Sequence, residues 1–168
     1  MTTNIVRPAE PGDLPALAEI FRQARKFMAM HGNPKQWGST HPPMSLIERN
    51  IKEGSGFVCC TDTGKVAGFF SLFDTEETYE VIREGHWLND EPYLVMHSVA
   101  ALPGYGAGTC MINHVKTLTD NIRIDTKDEN IPMRSLLEKL GFVYCGIIDL
   151  KAGRGERVAY QWCRDRQA

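Results

Sequence analysis

The sequence lacks an excess of charge of either sign. Its 19 lysines and arginines stand against 21 aspartates and glutamates, which gives a formal net charge of −2. Proteins that nucleic acids or anionic membranes attract by bulk electrostatics carry a basic excess instead. A long apolar run is also lacking, since the most apolar stretch, Val66 to Phe73, is far shorter than the ~20 residues that cross a bilayer. We therefore expect neither a nucleic-acid nor a membrane partner.

Cysteine and histidine motifs typical of metal or disulfide sites are absent as well. The five cysteines are odd in number and show no Cys-x-x-Cys spacing. No basic stretch followed by an apolar segment opens the chain, so we expect no signal peptide, reduced thiols and a cytoplasmic protein. His31, His41 and His86 lack the spacing of metal ligands, and neither His-x-His nor His-Glu-x-x-His occurs. We therefore predict no metal site.

The remaining composition is that of an ordinary globular domain. The 168 residues are 42% apolar and 24% charged, values that suit one domain over residues 1–168. A chain of this length buries roughly two thirds of its unfolded surface, so it needs no cross-links to fold.

The hydrophobic pattern predicts strands that alternate with helices. The predicted strands are 5–7, 57–61, 65–73, 93–99, 122–126, 142–148 and 157–162. The predicted helices run from Asp13 to Gly32, from the capping box Ser45–Glu48 to Gly54, from Gly106 to Leu118, and from Asn130 to Gly141. This order favours an α/β fold of the α+β type, with a single mixed sheet flanked by helices.

The segment 74–91 interrupts the strands and is strongly acidic. A helix-like pattern occurs around Tyr79 to Glu84. We interpret this segment as a solvated helix face, with attraction of a cationic substrate as the alternative.

A glycine-rich turn, Leu102-Pro-Gly-Tyr-Gly-Ala-Gly-Thr109, joins a predicted strand to an amphipathic helix. Glycine lets the backbone approach a ligand closely, and the positive end of the helix dipole adds to the site, so the turn can bind a phosphate or diphosphate. A turn that simply needs glycine is the alternative interpretation. The P-loop lysine is missing, and the spacing is not the GxGxxG of dinucleotide-binding folds.

A second pattern lies downstream, where Asn130 precedes a helix that closes with Glu138-Lys-Leu-Gly-Phe142. With the glycine turn before it and a strand between, this arrangement resembles the GNAT superfamily of N-acetyltransferases over nearly the whole chain. The resemblance implies an acyl-CoA-binding fold with a mostly antiparallel sheet. It also implies acetyl-CoA as co-substrate and an amine as acceptor.

The resemblance assigns coenzyme contacts residue by residue. The family's turn, Gln/Arg-x-x-Gly-x-Gly/Ala, corresponds to Pro103–Gly108, and Pro103 departs from the usual polar residue. Asn130 corresponds to the asparagine that contacts the coenzyme arm, although a plain helix cap is the alternative. The implied coenzyme-binding residues are Ser98, Val99, Ala100, Pro103, Gly104, Tyr105, Gly106, Ala107, Gly108, Thr109 and Asn130.

The family's usual acid is missing, because Leu137 stands where many members carry a tyrosine. A thiolate can leave without full protonation at neutral pH.

An amine attacks a thioester only when neutral, so the site needs a base. His97 is the best candidate because histidine titrates near neutrality, with a histidine satisfied in the sheet or facing a helix as the alternative. Glu91 and Tyr93 are second choices. Tyr144 or Cys145 could replace the missing acid, with sheet packing as the alternative for both.

Further candidates concern the acceptor. Asp125 could orient His97 or bind the acceptor, with a solvated strand face as the alternative. Trp37 and Trp87 could form pocket walls, with core packing as the alternative.

The leading hypothesis is an acetyl-CoA-dependent N-acetyltransferase acting on a primary amine or a peptide. A non-catalytic acyl-CoA sensor and a nucleotide-binding protein are the alternatives, and a homodimer stays open.

Overall fold

A computed structural model describes residues 3–167, so Met1, Thr2 and Ala168 lie outside the described residues. The first two belong to the N-terminal segment in which we expect no signal peptide. Helices and strands alternate largely as the sequence predicts. The helices are α1 Leu14–Met30, α2 Met44–Lys52, α3 Ala107–Lys116 and α4 Ile131–Lys139. The strands are β1 Ile5–Pro8, β2 Gly56–Cys60, β3 Val66–Phe73, β4 Leu94–Ala101, β5 Asn121–Thr126, β6 Val143–Leu150 and β7 Gly155–Cys163.

The strands form one sheet in the order β1-β2-β3-β4-β5-β7-β6. Antiparallel pairing joins β1 to β2, β2 to β3, β5 to β7 and β6 to β7, whereas β4 and β5 are parallel, with Leu94 opposite Ile122. The predicted single mixed and mostly antiparallel sheet is therefore confirmed. The hairpin predicted at Asp62–Gly64 is also present, because Gly64 adopts a φ of 87° between β2 and β3.

The chain divides into two compact units. The first contains Met1–Leu72 and Met96–His114, and the second contains Phe73–Val95 and Val115–Ala168. The first two residues of β4 belong to the second unit, and the other six belong to the first.

The core of the first unit forms around the apolar face of α1. Leu17, Ile20 and Phe21 are buried along this face. The ring of Phe21 lies 5.7 Å from Trp37 and 5.6 Å from Phe69, centre to centre. The long loop before α2 is therefore tied to the core through Trp37.

The core of the second unit is built on Tyr79, Val95, Ile148 and Ala159. The helix predicted around Tyr79 to Glu84 is wrong, because only a short 3-10 turn, Glu77–Tyr79, occurs there. Instead of forming a solvated helix face, this segment inserts the fully buried Tyr79 side chain into the core. The indole nitrogen of Trp87 holds it there by donating to the Tyr79 carbonyl at 2.9 Å.

Of two predicted helix caps, one is confirmed in position and one is wrong. Asp13 is the residue that precedes α1, but its carboxylate makes no capping bond to the helix and instead binds the Arg7 guanidinium at 2.9 Å, which lowers the pKa of Asp13. The predicted capping box at Ser45 is wrong, because Ser45 lies inside α2 and Pro43 is the cap residue.

Candidate functional site

The strand that leads to the glycine turn contains an irregular residue. Ser98 has a φ of 53° in the middle of β4. Non-glycine residues in this left-handed region are uncommon and cluster at functional sites. The backbone of β4 therefore departs from the extended conformation at Ser98, directly after His97.

The glycine turn is open and has the backbone that a phosphate site needs. Gly104 and Gly106 adopt φ values of 87° and 68°, and a Cβ atom at either position would meet nothing within 4 Å. Helix α3 begins directly afterwards at Ala107, and the first amides of a helix have no partner within the helix. The dipole of the helix adds positive potential at this end. The residues present therefore fit a diphosphate group.

Close packing behind the turn fixes the position of α3. A Cβ atom on Gly68 would lie 2.9 Å from Met111 Cε and 3.1 Å from the Ala100 carbonyl oxygen. The turn itself is held by Asn4, whose amide donates to the Tyr105 carbonyl at 2.6 Å. The amides of the turn are thus presented by a tightly supported segment of the first unit.

Asn130, the remaining coenzyme candidate, lies in the second unit and caps α4. Its Oδ1 accepts from the Met133 amide at 3.3 Å, and its Nδ2 donates to Thr126 Oγ1 at 3.1 Å. The side chain of Asn130 is thus used structurally, and its backbone adjoins the loop that follows β5.

Two of the predicted candidates, Trp87 and Tyr93, are brought together around one buried cation. The Arg123 guanidinium carbon lies 4.3 Å from the ring centre of Trp87 and 4.1 Å from that of Tyr93. Arg123 also donates to the Asn89 carbonyl at 2.8 Å. This cation–π stack fixes both rings.

Asp125 lies two positions further along the same strand and accepts a 2.6 Å hydrogen bond from Tyr79 Oη. Burial is the largest cause that raises the pKa of Tyr79 well above its usual range, and the Asp125 charge adds to it. The phenol therefore stays protonated and continues to donate to the carboxylate.

The other catalytic candidates differ in exposure. His97 is half-buried on β4, and Glu91 is exposed before this strand. Tyr144 is 44% exposed and lies edge-on against Tyr160. Cys145 is buried, and burial raises the pKa of its thiol to about 11.

Trp37 and Leu137 are placed in packed surroundings. Trp37 belongs to the hydrophobic core of the first unit, and Leu137 is fully buried on α4. Leu137 supplies no proton, so α4 offers no acid at this position.

Sequence reasoning missed a pocket in the second unit. Its volume is about 370 Å³. The lining residues are Lys127, Asp128, Glu129, Tyr144, Ile147, Glu156, Arg157 and Val158. Of these lining residues, only Tyr144 is a site residue predicted from the sequence. The others come from a loop and a hairpin, and no local sequence motif connects the two.

No group of three or more histidine, cysteine or acidic side chains is arranged to hold a metal ion within residues 3–167. Each helix in the same range is too short or too polar to cross a membrane.

Comparison with known proteins identifies the class of protein that this fold and turn define. The family model described as "Acetyltransferase (GNAT) domain" matches residues 4–143. The chain therefore belongs to the GNAT family and is an acetyltransferase. No curated protein sequence matches it significantly.

Solved structures agree with this assignment. An acetyltransferase of the GNAT family from Streptococcus agalactiae is 29% identical, with a TM-score of 0.86 and 95% of both chains covered. A phosphinothricin acetyltransferase from Sinorhizobium meliloti in complex with AcCoA is 15% identical, with a TM-score of 0.64, covering 96% of this chain and 88% of that one. A ribosomal-protein-alanine N-acetyltransferase from Brucella melitensis is 18% identical, with a TM-score of 0.63, covering 95% and 99%. The last two show the fold alone.

Proposed function

We propose that the protein transfers the acetyl group of acetyl-CoA to a primary amine by direct attack. The observation that carries this proposal is the open turn at Gly104 and Gly106, placed directly before α3. A GNAT neighbour solved with AcCoA supports the choice of coenzyme. The five free cysteines support a cytoplasmic location, because reduced thiols are typical there.

In this proposal the chain binds the coenzyme mainly through its backbone. The amides of Gly106, Ala107, Gly108 and Thr109 bind the diphosphate. The backbone of Ser98, Val99 and Ala100 binds the pantetheine arm. Pro103 and Gly104 shape the turn, and Tyr105 flanks it. Asn130 stays a coenzyme candidate on the family resemblance. Since most contacts come from amides, a proline in place of a polar residue at 103 does not remove the site.

The chain must also handle two protons. The amine arrives as an ammonium ion, which loses one proton to a base before its nitrogen can bond to the acetyl carbon, and it loses a second proton as the C–S bond breaks and the thiolate of CoA leaves. We assign the base to His97, directly before Ser98 in β4, with Glu91 and Tyr93 as the next candidates. Tyr144 and Cys145 are the remaining candidates for an acid, but a CoA thiol has an ordinary pKa near ~8.5, so its thiolate can leave unaided. The loss of a tyrosine at position 137 is then tolerated.

The test is thiol release in the presence of a panel of primary amines, with the product identified by mass. N-acetylated product and one equivalent of free CoA support the proposal. Binding of acetyl-CoA without turnover of any amine would contradict it and would favour a sensing role for the fold.

A further inference from the structure

The pocket in the second unit has the size and lining of a small-ligand site. Its volume of about 370 Å³ lies within the ~300–1,000 Å³ typical of such sites. Ile147 and Val158 lie opposite each other on β6 and β7 and supply an aliphatic surface. Tyr144 supplies an aromatic wall that is 44% exposed.

The acidic side chains that line the pocket differ in whether they form ion pairs within the protein. Asp128 pairs with Arg134 at 2.6 Å, and Glu156 pairs with Arg83 at 2.9 Å. Glu129 is exposed and forms neither an ion pair nor a side-chain hydrogen bond with any described residue, although it interacts electrostatically with Arg157. Glu129 is therefore the carboxylate best placed to receive a cation from solution.

The two lining cations are already engaged. Arg157 is 2% exposed, and its Nη1 donates to the carbonyls of Arg154 and Glu156, both at 2.9 Å. The Lys127 residue likewise interacts with another group of the protein. The pocket therefore offers carboxylate and aromatic groups to a ligand, a combination that suits an ammonium ion and its apolar chain.

Two of the three acidic lining residues, Asp128 and Glu156, already pair with arginines, so Glu129 is the negative charge that the pocket offers to a ligand, and the anionic coenzyme does not suit it. An acceptor amine does suit it, because a primary amine is a cation at neutral pH. The loop 127–129 that lines the pocket leads directly into Asn130, which is a coenzyme candidate.

We propose that this pocket binds the acceptor, and that the acceptor is a primary alkylamine with an apolar or aromatic group and no carboxylate. The ammonium interacts with Glu129, and the apolar group packs on Tyr144, Ile147 and Val158. This assignment rests on the proposed function, which it deepens by naming the class of acceptor. A carboxylate on the acceptor would be repelled by Glu129.

The experiment uses 2-phenylethylamine as the probe and phenylalanine as its carboxylated counterpart. Calorimetric titration of the full chain, without acetyl-CoA, should show binding of 2-phenylethylamine and at least tenfold weaker binding of phenylalanine. Glu129→Gln should raise the Kd for the amine about fivefold, since a single exposed charge pair is lost. Tyr144→Ala should also raise it. Glu48→Gln, which removes an exposed carboxylate on α2, should leave the Kd unchanged.

The same variants in the thiol-release assay separate the two proposals. The pocket assignment expects Glu129→Gln to raise the KM for the amine with little change in kcat. Turnover of amines with equal KM in wild type, Glu129→Gln and Glu48→Gln would overturn the pocket assignment and leave the proposed function standing. Binding of 2-phenylethylamine that depends on Glu129, without turnover, would support the pocket and contradict the proposed function. Equal binding of phenylalanine would overturn the assigned class of acceptor.

Discussion

The phenol of Tyr79 donates a 2.6 Å hydrogen bond to Asp125, which lies 46 positions later in the chain. This bond fastens the acidic segment before β4 to the strand that carries Arg123. The Arg123 guanidinium in turn holds Trp87 and Tyr93 on its two sides. A segment that looks solvated in the sequence is therefore docked through specific polar contacts.

Removal of this bond should cost stability. Tyr79→Phe keeps the ring but deletes the donor, so we expect the free energy of unfolding to fall by about 1–2 kcal/mol. Urea denaturation at pH 7 measures it. Tyr144→Phe, which removes an exposed hydroxyl, is the matched control and should change stability by less than about 0.5 kcal/mol.

The stabilising effect of Tyr79 should depend on pH in one direction. The pKa of Tyr79 is raised in the folded state, mainly by burial, so ionisation favours the unfolded chain. The contribution is fully present below the unfolded tyrosine pKa of about 10 and is lost as pH rises above it. The stability difference between wild type and Tyr79→Phe should therefore be constant from pH 7 to 9 and shrink above pH 10. A difference that grows with pH would contradict this assignment.

The sequence was sufficient for features that a few neighbouring residues determine. The sequence predicts the turn at Gly104 and Gly106, and it offers the cap at Asn130 as the alternative to a coenzyme contact, because the backbone conformation and the capping oxygen are local properties. The Tyr79–Asp125 bond and the pocket around Glu129 were not predicted, because their partners come from strands that meet only in the folded sheet. The positive φ of Ser98 was not predictable either, since serine has no strong preference for that conformation.

The close contact behind the glycine turn should be sensitive to one methyl group. Gly68→Ala places a Cβ 3.1 Å from the Ala100 carbonyl oxygen and 2.9 Å from Met111 Cε. The methionine end can move, but the backbone oxygen cannot move far, so we expect a loss of about 1–3 kcal/mol. Gly12→Ala, where a Cβ meets nothing within 4 Å, is the control. Equal denaturation midpoints for the two variants would show that α3 is not tightly packed there.

The thiols should react at very different rates. Burial raises the pKa of Cys59 to about 12 and that of Cys145 to about 11. Because the thiolate is the reactive form, iodoacetamide at pH 7.5 should modify the half-buried Cys110 first in the native protein. Peptide mass mapping over time measures the order. Early modification of Cys145 would contradict the burial of this thiol and its raised pKa.

The base assigned to β4 can be tested through the pH dependence of the rate. His97→Gln keeps much of the shape but cannot take a proton, so kcat should fall about 10²–10⁴-fold while acetyl-CoA affinity stays nearly intact. The deficit should shrink as pH rises, since the amine deprotonates by itself nearer its pKa of about 10. A wild-type rate across pH 6 to 9 would transfer the role to Glu91 or Tyr93.

Calorimetric titration of acetyl-CoA into Gly106→Val tests the central claim most directly. The side chain would project into the open space in front of the first amides of α3 and block the diphosphate. Gly64→Val in the β2–β3 hairpin carries a similar backbone strain, since both glycines have positive φ with no neighbour within 4 Å. If the coenzyme binds at this turn, Gly106→Val loses at least tenfold in affinity while Gly64→Val binds like the wild type. Equal affinities in two folded variants would contradict the account.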